Sequence, residues 1–249
     1  ESRSYFYPSV SGSFVFSDAF KLSNSFFDYG KIRASWSKVG RDADPYYLSD
    51  VFVLGSNFLG QPTASRSSTS PDPNLKPEFT NEYEIGTNLS FFKRRIEVDF
   101  TYYNRFSTNL IAPIIVPVTS GYDEYYTNFG KITNEGLEIG LSVTPLKSRE
   151  FSWNVYGAFT KNKNMVTELT EGVERLLLRG VLSGSSSINP YLEPGMPFGY
   201  LRGDVSARDS ATGQLLIDPT SGNPITSKEL GYLGNPNPDF KLGITNTFT

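Results

Sequence analysis

The sequence predicts an all-β fold: an antiparallel up-and-down transmembrane β-barrel, present in part as about seven long strands with long outer loops. Three observations lead to this prediction. Apolar and polar residues alternate along seven segments, the segments are about twice as long as ordinary strands, and the connections fall into a short and a long class. A strand of about 12 residues tilted by about 40° covers roughly 30 Å along a barrel axis, enough for an apolar belt about 25 Å tall.

The alternation is clearest in "NEYEIGTNLSFFKRRIEVDFTYYNRF", residues 81–106. Ile85 and Leu89 fall on one face of the first predicted strand, whereas Glu82 and Glu84 fall on the other. The seven alternating segments are residues 5–17, 28–39, 81–91, 96–106, 134–145, 151–162 and 239–249.

The connections alternate in length. Three are short: about two residues near Lys93–Arg94, about five in "LKSRE" and about ten in "DAFKLSNSFF". The long connections are residues 40–77, 107–133 and 163–238, and they are rich in turn-forming residues. If consecutive strands run up and down, the short connections lie at one end and the long ones at the other, as in outer-membrane barrels.

Two stretches of the last connection have patterns of their own. "QLLIDPTSGNPITS", residues 214–227, predicts a hairpin of two short strands around a Gly-containing turn. "GVERLLLRGVL", residues 172–182, predicts either a short amphipathic helix or a loop strand.

Composition narrows the possible functions. The chain has 249 residues, a formal net charge of −3, 38% hydrophobic and 14% aromatic residues, and neither Cys nor His. The charge argues against a polyanion-binding surface, and the missing residue types exclude disulfides, thiolate nucleophiles, imidazole bases and most transition-metal sites. No apolar run reaches the roughly 18–20 residues of a transmembrane helix. No signal peptide is recognised, so we expect a mature or internal segment.

Carboxylate pairs are the main alternative source of chemistry. Glu82 with Glu84, and Glu97 with Asp99, lie about 7 Å apart on one strand face and could act as an acid and a base. We expect them instead to be solvated carboxylates in a water-filled interior, and we predict no enzymatic activity and no cofactor. The Asp-containing stretches "DADPYYLSD" and "DPTSGNP" do not match the spacing of an EF-hand loop, so no metal site is predicted.

The barrel interpretation divides the strand residues into two predicted sets. The apolar positions are predicted to face lipid: Ile85, Leu89, Val98, Ile139 and Val155. The charged positions are predicted to face the lumen: Glu82, Glu84, Glu97, Asp99, Arg105 and Glu138.

Two tyrosine pairs fall in or near the long connections, Tyr46–Tyr47 and Tyr125–Tyr126. Tyrosine rings stack on sugar faces while their hydroxyls form hydrogen bonds, which makes these four residues candidates for substrate contact. Packing between loops is the simpler interpretation and the one we favour from the sequence.

Several stretches resemble one known family. "PDPNLKPEFTNEYEIGTNLSFFKRRIEVDFTYYNRFSTNLI" and "NFGKITNEGLEIGLSVTPLKSREFSWNVYGAFTKNKNMVTEL" are similar to barrel segments of SusC/RagA-type TonB-dependent outer-membrane transporters. "EPGMPFGYLRG" and "GNPNPDFKLGITNTF" resemble two later signatures of the same barrel. The matches follow the family's order and cover most of residues 71–248.

The resemblance implies energised import of a nutrient, commonly a glycan or peptide, across the outer membrane of a Gram-negative, Bacteroidetes-like cell. It implies a SusD-like surface lipoprotein and the TonB complex as partners, lipid around the barrel and no nucleic acid. The family's plug domain and TonB box do not match any part of this sequence. Residues 1–249 are therefore expected to form part of the barrel domain, as an internal piece of a larger protein with about 22 strands.

Two other hypotheses are open at this point. A soluble, secreted β-sandwich that binds carbohydrate would show the same alternation and would bury Ile85 and Ile139 between two sheets. A passive porin would have the same barrel strands but no plug domain.

Overall fold

A computed structural model describes residues 5–22, 24–45, 47–178 and 188–249. Strands predominate. Fourteen are described: β1 (Ser9–Val15), β2 (Phe27–Arg41), β3 (Phe52–Phe58), β4 (Gln61–Arg66), β5 (Thr69–Ser70), β6 (Glu78–Phe91), β7 (Ile96–Ile115), β8 (Glu124–Lys147), β9 (Ser152–Leu169), β10 (Leu176–Leu177), β11 (Ile188–Leu192), β12 (Tyr200–Gly203), β13 (Gly231–Gly234) and β14 (Lys241–Phe248). A short helix, α1 (Phe16–Ala19), and a 3-10 turn (Val118–Ser120) complete the elements.

One antiparallel sheet contains all seven predicted long segments. Its order is β1-β2-β6-β7-β8-β9-β14, so the long strands pair with their neighbours in chain order, and β5 adds a short parallel pairing to β8. The predicted up-and-down arrangement is confirmed. The sheet does not close within the described residues, where β1 and β14 form its two edges.

The prediction of a loop over residues 107–133 is wrong. β7 continues to Ile115 and β8 begins at Glu124, so most of this stretch lengthens a hairpin and only about eight residues connect the two strands. Pro113 is tolerated because β6 pairs with β7 only as far as Thr108, which leaves β7 as an edge strand on that side. β9 also extends further than predicted, to Leu169.

The short connections lie together at one end, as predicted. β6 and β7 join through residues 92–95, β8 and β9 join through residues 148–151, and the link between β1 and β2 contains α1, which was not predicted. Phe92, Lys93 and Arg94 follow one another with φ angles of 56°, 57° and 60°. Non-glycine residues seldom adopt this left-handed conformation, and three in succession form a strained turn.

The long connections fold into structures of their own. β3 and β4 form a hairpin whose base is held by a salt bridge of 2.7 Å between Arg66 and Asp50. Residues 214–227 fold back around the predicted turn, where Ile217 forms a bridge with Pro224, but the two predicted short strands do not form: the pairings of this stretch are isolated bridges.

The last long connection also contains a small sheet in the order β10-β11-β12-β13. The described part of the stretch at residues 172–182 contributes the strand β10, whereas residues 179–182 lie outside the described residues. Arg175 Nε donates a hydrogen bond of 2.7 Å to Glu193 Oε2. This bond, together with one from Tyr200, holds the pKa of Glu193 below its ordinary value. The ion pair therefore ties the segment before β10 to the end of β11.

The buried apolar cluster lies at the end of the sheet with the long connections. Its members come from the extended parts of β7, β8 and β9 and from the small sheet: Ala112, Phe129, Ile132, Val166, Leu176 and Leu192. The main sheet is a single layer below this cluster. No helix within the described ranges is long and apolar enough to cross a bilayer.

Gly130 occupies a position that only glycine fits. Its φ is +152°, and a Cβ there would lie 2.0 Å from the backbone oxygen of Glu168 on β9. We expect Gly130→Ala to lower the free energy of unfolding of the full-length protein by about 1–3 kcal/mol, measured by urea denaturation in detergent micelles. Gly157→Ala is the matched control, since its Cβ would meet only one atom, at 3.9 Å. Equal stability of the two variants would contradict this account.

Candidate functional site: a two-faced wall

The strand register divides the main sheet into two faces. Residues directly paired across antiparallel strands lie on the same face. Leu89 pairs with Val98, and Val98 pairs in turn with Leu141. On the other face, Glu82 pairs with Arg105, which pairs with Asn134. The alternation stays in phase from β2 to β9.

The five residues predicted to face lipid share one face. Ile85, Leu89, Val98, Ile139 and Val155 are linked to it by the pairs Ile85–Tyr102, Leu89–Val98, Phe100–Ile139 and Val143–Val155. Phe16 of α1 packs over this face at Gly30, and no other described element covers it. Ile85 is 52% exposed and Ile244 is 66% exposed, which is incompatible with a β-sandwich core at these positions.

The six residues predicted to face the lumen share the opposite face. They are Glu82, Glu84, Glu97, Asp99, Arg105 and Glu138. Glu82 pairs with Arg105, and Glu138 pairs with Thr101, which lies two residues from Asp99 on the same face of β7. All except Glu97 line one open cavity of about 550 Å³. Glu97 lines a neighbouring cavity of about 300 Å³ nearer the short turns.

Ion pairs connect three strands of the polar face. Arg33 on β2 lies 3.5 Å from Glu84 on β6 and 3.1 Å from Asp99 on β7. It also donates to the hydroxyl of Thr101 and, at 2.9 Å, to the amide oxygen of Asn88. A second pair joins adjacent strands, Arg105 and Glu82, at 2.7 Å.

Arg33 was not among the predicted site residues. The alternation along β2 places Arg33 on the polar face. Its side chain crosses β6 to Asp99 over Gly86, and the alternation alone does not predict that contact. A Cβ at Gly86 would lie 2.7 Å from Arg33 Cζ, so the guanidinium rests on bare backbone. A glycine opposite an arginine, in register, is the signal that could have revealed the contact.

The tyrosines at the long-connection end pack against each other. The rings of Tyr47 and Tyr126 stack with centroids 4.1 Å apart, and the Tyr47 hydroxyl donates to Asp44 at 3.3 Å. Hydrogen bonding with Tyr126, followed by burial, raises the pKa of Tyr47 well above its usual value. Tyr125 lies on β8, where burial and then Asp72 raise its pKa.

Tyr46 lies outside the described residues. Tyr47 and Tyr126 border an open cavity of about 210 Å³ together with Arg41, Asp42 and Glu78. One face of each stacked ring is used by its partner, so the structure accounts for these two residues through loop packing. Substrate contact by the four tyrosines stays a prediction.

The part of the chain that the structure describes contains no group of three or more Asp or Glu residues arranged to hold a metal ion. The carboxylates Glu82 and Asp99 are each engaged by an arginine. The polar face is therefore a network of paired charges in which Glu97 and Glu138 form no ion pair with a described residue.

A family profile described as "TonB dependent receptor-like, beta-barrel" matches residues 1–241. The chain belongs to the TonB-dependent receptor β-barrel family. The predicted all-β barrel fold and the predicted family are thereby confirmed. The family consists of transporters and not of enzymes.

Individual relatives agree with this assignment. TonB-dependent receptor P26 of Formosa agariphila is 26% identical over the whole chain, and SusC of Bacteroides thetaiotaomicron is 25% identical over 57% of it. Among solved structures, the RagAB peptide transporter superposes on 98% of the chain with a TM-score of 0.76 at 18% identity. The chain spans 27% of the length of P26 and 27% of that RagAB chain.

Arg33 should contribute measurably to the stability of the main sheet, because its removal leaves the carboxylates of Glu84 and Asp99 without their cation. We expect Arg33→Met to lower the free energy of unfolding of the full-length protein in micelles by about 1–2 kcal/mol. Lys31→Met is the matched control: Lys31 lies on the same face of β2 and forms no ion pair with a described residue. Its effect should stay within about 0.5 kcal/mol. A loss in Lys31→Met as large as in Arg33→Met would refute the proposed role of the network.

Proposed function

We propose that this chain forms part of the wall of a TonB-dependent outer-membrane transporter that imports a nutrient such as a glycan or a peptide. The observation that carries the proposal is the single-layer sheet of long strands, with one uncovered apolar face and one ion-paired polar face, in a member of this receptor family. In a water-soluble protein such an apolar face would require a second layer.

The apolar face is assigned to lipid and the polar face to the lumen. β6 has 14 residues and β9 has 18, and tilted strands of these lengths exceed the roughly 25 Å of an outer-membrane apolar belt. Lipid would contact Ile85, Leu89, Val98, Ile139 and Val155. The lumen would contain Glu82, Glu84, Glu97, Asp99, Arg105 and Glu138, where water solvates their charges.

The whole transporter would contain parts that this chain does not represent. We assign residues 1–249 to the barrel domain and place the plug domain and TonB box elsewhere in the polypeptide. Import would then require the TonB complex as energy source. Relatives that are about four times as long as the matched region support this division.

A SusD-like surface lipoprotein is the proposed partner at the outer face. The support is similarity to SusC and a fold shared with the RagAB peptide transporter. The long connections would lie on the outer side, where Tyr46, Tyr47, Tyr125 and Tyr126 are candidate contacts for cargo. The location would be the outer membrane of a Gram-negative, Bacteroidetes-like cell. A soluble carbohydrate-binding sandwich is not supported, because Ile85 is exposed on an uncovered sheet.

Membrane placement is tested by a pair of neighbouring substitutions on β8. Ile139→Arg would put a charge in the apolar belt, where it costs about 2–4 kcal/mol, and should impair barrel assembly. Glu138→Gln changes the adjacent lumen position and should assemble normally. The measurement is the fraction of full-length protein with heat-modifiable migration in detergent gels. Equal assembly of the two variants would contradict the assignment of the faces.

Transport is tested with the full-length gene in its native host. A strain that lacks the gene should lose growth on the glycan or peptide that the transporter imports, identified by growth on single nutrient sources. Loss of TonB should abolish the same uptake, and loss of the gene for the proposed SusD-like lipoprotein should weaken it. Uptake that continues without TonB would indicate a passive porin instead.

A further inference from the structure

The short-turn end of the wall has a concentration of positive charge. The turn between β6 and β7 contains Lys93, Arg94 and Arg95, and the end of β8 with the following turn adds Lys147 and Arg149. All five side chains are exposed. Within the described ranges none of them forms an ion pair. We call these five residues the basic rim.

The two turns of the basic rim lie close together. The β6–β7 and β8–β9 hairpins are separated by two strand intervals, which is about 10 Å across the sheet. Thr144 on β8 donates its backbone N–H to Arg95 at 2.7 Å, which joins the first turn to the strand that leads into the second. Both turns can therefore contact the same surface.

The first turn keeps its charges at an energetic cost. Lys93 and Arg94 adopt the left-handed conformation, which glycine or asparagine accommodates better, and each such residue costs about 1 kcal/mol or more. The turn is held by the carboxylate of Asp28, which accepts the backbone N–H of Arg94 at 3.0 Å.

Exposed aromatic rings border the basic rim on the apolar side. Phe26 packs edge-on against Phe92 with centroids 4.8 Å apart, and Phe151 stacks on Phe248 at 6.3 Å. All four rings are more than 40% exposed. An apolar band directly beside unpaired cations matches a molecule with an anionic head and hydrocarbon chains.

We propose that the basic rim binds the phosphate-bearing headgroups of anionic phospholipids in the leaflet next to the short turns. This inference rests on the membrane placement of the proposed function. The lipid phosphates contact Lys93, Arg95 and Arg149, while the acyl chains beside them contact the four phenylalanine rings. Arg94 and Lys147 lie toward the polar face and add their charge to the rim from that side. Free phosphate would use the cations alone and would leave the rings unexplained.

The experiment uses the full-length protein in bilayers of phosphatidylethanolamine with a minor fraction of phosphatidylglycerol. Electron paramagnetic resonance of spin-labelled lipids measures the preference of the protein for each headgroup. The wild-type protein should prefer phosphatidylglycerol. The triple variant Lys93→Asn/Arg94→Asn/Arg95→Gln should lose this preference. The relative affinity for phosphatidylglycerol should fall by at most about fivefold for each cation removed. Asparagine tolerates the left-handed conformation, so the turn is retained.

The control removes the same charge from the opposite end. Arg41→Gln/Lys76→Gln/Lys228→Gln should keep the wild-type preference. If the triple variant fails to assemble, Lys147→Gln/Arg149→Gln tests the same rim from the second turn and should reduce the preference. Soluble glycerol phosphate in excess should not displace the labelled lipid, because it lacks acyl chains.

Three results would overturn the proposal: no preference in the wild-type protein, an unchanged preference in both rim variants, or an equal loss in the control. Displacement by glycerol phosphate would also overturn it, in favour of a soluble phosphate ligand. Wild-type protein that fails to float with the vesicles would refute the membrane placement itself. Protein that inserts and transports without a headgroup preference would refute the lipid site alone.

Discussion

A constant register between neighbouring strands is the constraint on which the rest of this structure depends. Because side chains alternate with a period of two, a slip of one residue between any two strands would move a whole row to the wrong face. From β2 to β9 no such slip disturbs the central rows, because the bulges lie either close to the short turns or in the parts of β7, β8 and β9 that extend toward the long connections. The apolar face, the charged face and the ion pairs between strands all follow from this one register.

The sheet and the loops are stabilised by different means. In the central sheet the described residues form one layer, so ladder hydrogen bonds and cross-strand pairs hold it together while its apolar side chains stay uncovered. Among the described residues, a buried apolar cluster forms where β7, β8 and β9 extend past the main sheet and meet the small sheet. The buried apolar residues therefore lie beyond the central sheet, whereas the lipid-facing and lumen-facing residues lie within it.

The sequence predicts the strands well where their two faces differ most in polarity. β6 and β7 begin within a few residues of their predicted positions, because charged and apolar residues alternate there without interruption. The prediction failed over residues 107–133, where Asn109 and Pro113 resemble loop residues although β7 continues to Ile115. An unpaired strand edge tolerates proline, and the sequence does not show which stretches of an edge lack a neighbour.

The charged face could be predicted as a set of residues but not as a set of contacts. Alternation assigns Glu84 and Asp99 to one face, yet their shared partner Arg33 lies two strands from Asp99. Similarly, Tyr47 comes from the connection after β2 and Tyr126 from the extended part of β8, and their stacking depends on how that connection folds against the extended β7–β8 hairpin. Such contacts between distant segments need the strand order and the register together.

The bare backbone at Gly86 makes two positions in the chain depend on each other. The guanidinium of Arg33 lies flat over this glycine, so any side chain at position 86 would occupy the same volume. The two residues should consequently change together during the divergence of the family: homologues with a larger residue opposite β2 should have lost the long cation. Positions 33 and 86 are register partners on β2 and β6, so this size constraint would add to the covariation expected of a direct strand contact.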